Sequence, residues 1–449
     1  MSLSDADFLH FRTELQHVGD MAQPTEMPDQ ERVARAKEVF MESLDARRAV
    51  HLESCIHCGL CAEACHFYIS TQDPKYTPIR KLELIRRFYR RELSPNRWLY
   101  RLVSRDLTAQ DLEDWQELVY DSCTECGRCS LICPMGIHIA DMVAVTREAL
   151  AQAGLIPAEL RGIAQEQAAR GSVFGVDAQR LLARFDELKE MGLEVPVNKD
   201  KAEVMVLTSV LDVMLTRDAL VATVKIMNHL GVDWTVRTEG FECANFGMLS
   251  GHAETQWIAS KRIVDAAIAC DAKVVITAEC GHAYPAMRWD AANFYGKPLP
   301  FEVMAISEFL GRELEAGRLK LKEIENAVPM TFHDPCKLGR IGGTFDGARE
   351  VLKDLGIELR EMASNREMNL CCGGGAGVFL LNRATPLREK VFELKRQQVN
   401  ETGAEKVVVT CGSCRLNYLS GKVHTHWDKD IVSLVEMVGD NLADGGAQA

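Results

Sequence analysis

The sequence predicts an α+β/α/β multidomain fold, with a helical, cysteine-rich module followed by two tandem α/β repeats. Three observations predict it. Two cysteine runs of identical spacing fall within residues 51–140. From about residue 202, short buried strands alternate with helices, the pattern of parallel α/β units. The same plan recurs after about residue 329, which reads as an internal repeat of roughly 120–130 residues.

At 449 residues the chain exceeds one typical domain. An apolar fraction of 47% supports real cores, and a net charge of −13 argues against a nucleic-acid partner. Met1 to about Asp20 is polar, without the apolar core of a signal peptide, and no 18-residue apolar run marks a membrane span. A reducing, cytoplasmic setting then favours the sixteen cysteines as metal ligands over disulfides. Thirteen of them fall in three motifs; only Cys243, Cys270 and Cys280 lie outside.

In chain order, residues 1–50 read as a polar segment and then a helix, Gln30 to about Arg48. Residues 51–140 form the two-run module and 141–200 a helical linker broken at Gly171-Ser172. Residues 201–328 form the first α/β repeat. It has strands at Val204–Leu207 and Lys273–Thr277 and a helix from Arg217 to His229. Residues 329–438 form the second, with strands at Met330–His333 and Lys406–Thr410 and a helix from Phe345 to Leu355. Residues 439–449 read as a flexible tail.

Cys55, Cys58, Cys61 and Cys65 form the first run; Cys123, Cys126, Cys129 and Cys133 form the second, followed by Pro134. Both are C-x2-C-x2-C-x3-C, the spacing of two-cluster ferredoxins. In such a ferredoxin-like module three thiolates reach one [4Fe-4S] cubane and the fourth reaches the other. Cys55, Cys58, Cys61 and Cys133 are thus expected on one cluster, and Cys123, Cys126, Cys129 and Cys65 on the second. His66 stands where proline is common. Zinc would not call for two repeated four-thiolate runs.

Fifty-seven residues separate Cys65 from Cys123. They carry Arg80, Lys81, Arg86, Arg87, Arg90, Arg91, Arg97 and Arg101, with Leu82, Ile85, Tyr89 and Leu93 at helical spacing. This block is either a solvated helix face or a docking surface for an acidic protein or membrane-facing subunit.

The third motif is Cys336, Cys371-Cys372, Cys411 and Cys414, spaced C-x34-C-C-x38-C-x2-C. Five thiolates are one too many for a tetrahedral zinc or a single cubane. The motif therefore points to an unusual iron–sulfur centre at strand ends, where α/β folds hold ligands. Gly373, Gly374, Gly375 and Gly377 allow close backbone approach, with N–H groups able to donate to sulfur, or form an ordinary turn. Lys337 and Arg340 balance cluster charge or are surface cations. His333 is a candidate proton donor or a structural residue.

The two repeats are unequal. Cys371-Cys372 aligns near Glu242-Cys243, and Cys411-x-x-Cys414 aligns with Cys280-Gly281-His282-Ala283. The first repeat thus keeps too few thiols for such a centre. It is a scaffold, or Cys243, Cys280 or His282 lines a substrate entrance. Cys270 reads as buried core.

The five-cysteine arrangement resembles the cysteine-rich (CCG) domain of heterodisulfide-reductase-like iron–sulfur proteins, from about residue 50 to about residue 435. That resemblance implies two tandem CCG-type repeats, one degenerate. It also implies a noncubane [4Fe-4S] centre on Cys336, Cys371, Cys372, Cys411 and Cys414 that cleaves or forms a disulfide, fed by two cubanes. Three segments are similar to the DsrK-type catalytic subunits of the sulfite-reduction-associated membrane complex. They are Cys55-Ile56-His57-Cys58-Gly59-Leu60-Cys61, Thr77-Pro78-Ile79-Arg80 and Glu279-Cys280-Gly281-His282-Ala283-Tyr284. The resemblance further implies a cytochrome b-type membrane subunit exchanging electrons with quinone, and a small DsrC-type sulfur carrier as disulfide or trisulfide substrate. It implies peripheral association with the membrane through the partner. The alternative is the iron–sulfur subunit of a flavin-dependent lactate, glycolate or glycerol-3-phosphate dehydrogenase complex, although no G-x-G-x-x-G follows a strand here. A cluster-binding structural subunit without catalysis is a third reading.

Overall fold

The structure, a computed structural model, describes residues 25–443. The polar start of the chain and the last six residues of the expected tail lie outside the described residues. The N-terminal half is helical. The single helix expected from Gln30 is two, Asp29–Ser43 and Ala46–Glu53, because the Asp45 side chain accepts the Arg48 N–H and starts a new helix. In the insert, Leu82, Ile85 and Tyr89 are buried along the helix Glu83–Glu92. Its basic block is less exposed than the composition suggests. Arg86 is buried and pairs with Glu83 at 2.7 Å, and Arg87 pairs with Asp111 at 2.7 Å.

Residues 141–200 are helical but are not a separate linker. Ile139–Gln152 packs on Asp29–Ser43 and contributes Met142, Val145 and Leu150 to the helical core. Ala178–Glu190 instead sends Leu181, Phe185 and Leu188 into the α/β core. The boundary therefore falls within the segment, because its two ends present apolar faces to different cores.

Among the described residues, seven strands form two parallel sheets. The first has the order β2-β1-β3-β4, with β1 Val204–Val206, β2 Trp234–Thr235, β3 Val274–Thr277 and β4 Glu302–Ala305. The second has the order β5-β6-β7, with β5 Met330–Phe332, β6 Lys406–Val409 and β7 Asp430–Ser433. A parallel bridge between Met330 and Leu359 adds to β5 the neighbour that β2 supplies to β1. The two sheets thus share one strand order. β3 leads into Cys280 and β6 into Cys411.

The sheets meet through two matching helix crossings. The longer helix between β1 and β2, Arg217–Leu230, packs on the helix after β7, Leu434–Asp440. The helix after β4, Ile306–Glu315, packs on the helix after β5, Asp346–Asp354. Both crossings use small residues at backbone contact. A Cβ added at Gly439 would lie 2.6 Å from the Ala222 Cβ, and one at Gly311 would lie 2.6 Å from the Gly347 Cα. A flexible tail therefore does not begin at residue 439, since Gly439 is buried in the last helix, and Leu442 bridges to Leu321. Gly439→Val is expected to cost about 1–3 kcal/mol of stability through overpacking, read as a lower urea midpoint.

Candidate iron–sulfur site

The two cysteine runs fold alike. Each places a non-glycine residue and then, two positions later, a glycine in the left-handed region: His57 and Gly59 (φ +55° and +83°), and Glu125 and Gly127 (φ +47° and +76°). This bends the backbone round one corner, which glycine permits at little cost. Cys55, Cys58, Cys61 and Cys133 line one pocket. Cys65, Cys123, Cys126 and Cys129 line a second. Two pockets with four thiols each, all sixteen cysteines being unpaired, suit four-thiolate clusters in donor chemistry.

The five remaining thiols of the C-terminal motif are buried together. Cys336 and Cys371 stand 3.9 Å apart, sulfur to sulfur. Hydrogen bonds from Cys336 and Cys372 hold Cys371 well below the ordinary thiol range, and Cys414 brings Cys411 down to about 7. Neighbouring thiols push Cys336, Cys372 and Cys414 well above the ordinary range in turn, so five buried sulfurs this close can all be thiolates only around a cationic centre. The surrounding chain is built for it. Gly373 N–H donates to Cys371 Sγ at 3.5 Å, and Gly281 N–H, from the first half, donates to Cys411 Sγ at 3.3 Å. Gly375 instead faces Thr124 and His282. Asp334 anchors the turn before Cys336 by accepting from Arg349 at 2.8 and 2.9 Å.

His333 is buried beside Tyr418, 5.2 Å between ring centres, with neither ring nitrogen hydrogen-bonded. One of its nitrogens and the sulfurs of Cys372 and Cys414 lie within 4.8 Å of one another. Burial pushes its pKa well below the usual value. Lys337 and Arg340 have another task than surface charge. Lys337 Nζ donates to the Glu125 carbonyl at 3.2 Å, and Arg340 Nη1 donates to the Cys126 carbonyl at 2.7 Å. They tie the second cysteine run to the five-cysteine domain. Cys126 packs against the five-thiol cluster, and Thr124 lies beside it next to Gly375.

Two contributors were not legible in the sequence. Lys395, buried on the helix Thr385–Glu401, donates to Asn369 Oδ1 at 3.0 Å; burial lowers it to about 8, opposed by the nearby Cys371 and Cys372. Arg147 is fully buried and spends all five N–H groups on carbonyls. Val119 receives two, and Cys123, Leu249 and Ala376 receive one each, at 2.7–3.0 Å. It sits in an alanine-rich helix, where an arginine ordinarily signals a solvated face; only an unusually apolar helix hinted otherwise. Among the sequence candidates of the first half, Cys243 is buried, while Cys280 and His282 meet the five-cysteine loops. His282 Nε2 accepts from Ala376 N–H at 3.2 Å. Cys270 is core.

Residues 51–137 match the 4Fe-4S dicluster domain and residues 330–418 the cysteine-rich domain. The chain is 27% identical to a subunit of the dihydromethanophenazine:CoB–CoM heterodisulfide reductase of Methanosarcina acetivorans, over 89% of this chain and 96% of that protein. It is 27% identical to the Hdr-like menaquinol oxidoreductase iron–sulfur subunit of Archaeoglobus profundus, over 90% of this chain and 82% of that one. It is 25% identical to an EtfAB:quinone oxidoreductase of Syntrophomonas wolfei, over 83% of this chain and 56% of that protein.

Arg147→Met is expected to cost about 3–5 kcal/mol, because the carbonyls of Val119, Cys123, Leu249 and Ala376 lose their buried donor and Glu125, 3.4 Å away, loses one of its two cations; denaturation of the cluster-loaded protein measures this. Buried acids behind the site add a pH dependence. Burial pushes Glu279 up to about 8 and Asp212 up to about 7. Each holds its proton more tightly folded than unfolded. Their contribution is therefore full below the ordinary carboxylate range and is lost as pH rises through 7 to 8. The urea midpoint is expected to fall from pH 5 to pH 8, and to fall less steeply in Glu279→Gln.

The cluster pockets, the five-thiol site and relatives aligned over most of the chain lead to one assignment: this is a heterodisulfide-reductase-like iron–sulfur protein with a cysteine-rich CCG domain.

Proposed function

We propose that the chain is an oxidoreductase acting on sulfur groups. It relays electrons singly between a quinone-linked membrane partner and a five-cysteine site. There it reduces a disulfide or trisulfide of a sulfur-carrier protein or, in reverse, oxidises thiols. The observation that carries this reading is the contact of three parts at one place: Cys126 and Thr124 of the second run, the five buried thiols, and a pocket lined by Cys280, His282, Gly374 and Ser413. When bound, two cubanes and a noncubane [4Fe-4S] centre supply one-electron transfer and a place for two-electron chemistry at sulfur.

In this reading Cys55, Cys58, Cys61 and Cys133 hold one cubane, and Cys65, Cys123, Cys126 and Cys129 hold the other. Cys336, Cys371, Cys372, Cys411 and Cys414 hold the noncubane centre. The shared strand order and matching helix crossings support two tandem CCG-type repeats, the first degenerate. Gly373 and Gly281 donate to the thiolates, while Lys395 offsets their charge. Lys337 and Arg340 hold the second run in electron-transfer contact.

Exposed Cys58, with Ile56 and Met135 exposed beside it, suits electron exchange with a partner. The helix Arg97–Val103 leaves Trp98 and Leu102 at 66% and 77% exposure next to Arg101, which suits a membrane-embedded, cytochrome b-type subunit. No helix of the described residues is long and apolar enough to cross a membrane, and the proposed association is peripheral. The DsrK subtype and a DsrC-type carrier rest on the motif resemblance. The EtfAB:quinone relative favours a second reading, electron supply from a flavin partner through the same cubanes.

Low-temperature EPR tests the proposal. Adding thiol to the oxidised protein is expected to raise a paramagnetic signal absent without it. Cys371→Ala is expected to lose that signal and all disulfide-linked electron transfer while keeping both cubane signals. Disulfide turnover that survives the substitution would favour the relay reading.

A further inference from the structure

Two buried histidines stand against the sulfur sites with no partner from the rest of the chain. Among the described residues, only His66 and His333 have both ring nitrogens buried and without any nitrogen or oxygen partner. Their relative exposures are 2% and 0%. Leaving a buried polar group unpaired is costly, so a folded protein ordinarily pairs it with its own atoms or with a bound group. Each of these two rings faces thiols.

His66 follows Cys65 directly, where a two-cluster ferredoxin usually carries proline. Proline brings no donor to that place, whereas imidazole does. His66 opens the short helix His66–Thr71 and lines the second four-thiol pocket with Cys65, Cys123, Cys126 and Cys129. Against burial, its imidazole draws the Cys126 thiol down. Cys126 is also the thiol of this run that packs against the five-cysteine cluster. His66 therefore stands where one sulfur site meets the next.

His333 leaves the end of β5, and its backbone N–H donates to the Val408 carbonyl at 3.0 Å. One ring nitrogen and the sulfurs of Cys372 and Cys414 lie within 4.8 Å of one another. Neighbouring polar groups do not serve the ring. Tyr418 meets it edge-on, but the Tyr418 hydroxyl is itself buried without a partner. Lys395 donates to Asn369 Oδ1 and Gln398 Oε1, each at 3.0 Å. Sulfur is the acceptor left to this imidazole.

The first four-thiol pocket has no such group. His57 lines it but is exposed, so water serves its ring. The buried imidazoles are confined to the two sites that touch. An imidazole carries at least one N–H in either charge state, so a donor is present in both.

We propose that His66 and His333 are hydrogen-bond donors to the two adjoining iron–sulfur centres. His66 gives its N–H to a sulfur of the second cubane beside Cys126. His333 gives its N–H to a sulfur of the five-cysteine centre beside Cys372 and Cys414. The inference rests on the cluster content proposed above. A donor to sulfur stabilises the more negative, reduced state and raises the potential at which the centre accepts an electron. The two centres in contact across Cys126 are thus each tuned by one buried ring.

The test is low-temperature EPR of the cluster-loaded full chain, poised at stepped potentials with and without thiol. His66→Pro restores the ferredoxin pattern at a first helical position, which accepts proline. It is expected to move the midpoint of one cubane signal to lower potential. His333→Phe keeps a ring beside Tyr418. It is expected to lower the midpoint of the thiol-induced signal and to leave both cubane midpoints in place. His66→Gln and His333→Gln retain an N–H donor and are expected to recover part of each shift. In wild type made with isotopically labelled histidine, pulsed EPR is expected to show weak ring-nitrogen coupling on both signals. It is also expected to show an exchangeable-proton coupling that deuterium oxide removes. Unmoved midpoints in His66→Pro and His333→Phe, or no imidazole coupling in wild type, overturn the donor role and leave the centres standing. The strong coupling of a directly bound nitrogen overturns it in favour of ligation to iron. Where a variant fails to load its clusters, the wild-type coupling decides. Wild type with both cubane signals but no thiol-induced signal overturns the five-cysteine centre and the His333 role with it.

Discussion

Arg147 is the constraint on which the rest of the architecture depends. Burying a guanidinium is costly unless every donor is used. Here all five N–H groups are spent on carbonyls of three different segments. Cys123 and Val119 belong to the second cysteine run and its approach, Leu249 to the first α/β half, and Ala376 to the glycine loop after Cys372. The Tyr120 ring lies 4.9 Å from the guanidinium carbon, and its hydroxyl donates to Ser250 and to the Arg147 carbonyl. A shift of any one segment strands a buried donor, so the relative positions of the two-run module, the first α/β half and the second α/β half are set together.

That junction explains how an unequal pair of repeats shares one site. The half without the five-cysteine motif still takes part in the site. Its Gly281 N–H reaches Cys411, its His282 accepts from Ala376, and its Glu279 carbonyl receives the Gly412 N–H. A Cβ at Gly281 would stand 2.9 Å from the Cys411 sulfur, so this close approach itself requires glycine. The small-residue crossings at Gly311–Gly347 and Gly439–Ala222 bring the sheets near enough for these loops to meet. Cations on the other side, Lys337 and Arg340, bind main-chain oxygens of the second run. Orientation and charge are thus supplied by the same side chains.

Much of the fold was legible because its signals are local. Strands such as Val274–Thr277 and Lys406–Val409 are short apolar runs bounded by turns, and a parallel sheet buries both faces. The cysteine runs were legible because cluster ligation imposes a spacing on nearby residues. The helix break at Asp45, the division of residues 141–200 between two cores and the buried end of the chain at Gly439 were not. Each depends on a packing partner far away in sequence. Arg86 and Arg87 likewise resemble surface charge in the sequence, and only the fold pairs them with Glu83 and Asp111.

By itself, the sequence determined the metal chemistry: thirteen cysteines in three motifs, two of them of one spacing, and an α/β repeat whose first copy has lost thiols. Residue type and short spacing suffice for that, because a ligand set is a matter of which atoms are offered. Only the tertiary structure decided what surrounds those atoms. It brought Cys126 against the five-thiol site, made Arg147 and Lys395 interior cations and buried Glu242 in the pocket wall. The physical reason is that burial and long-range hydrogen bonding set the charge and the proton, and neither is a property of a residue's neighbours in the chain.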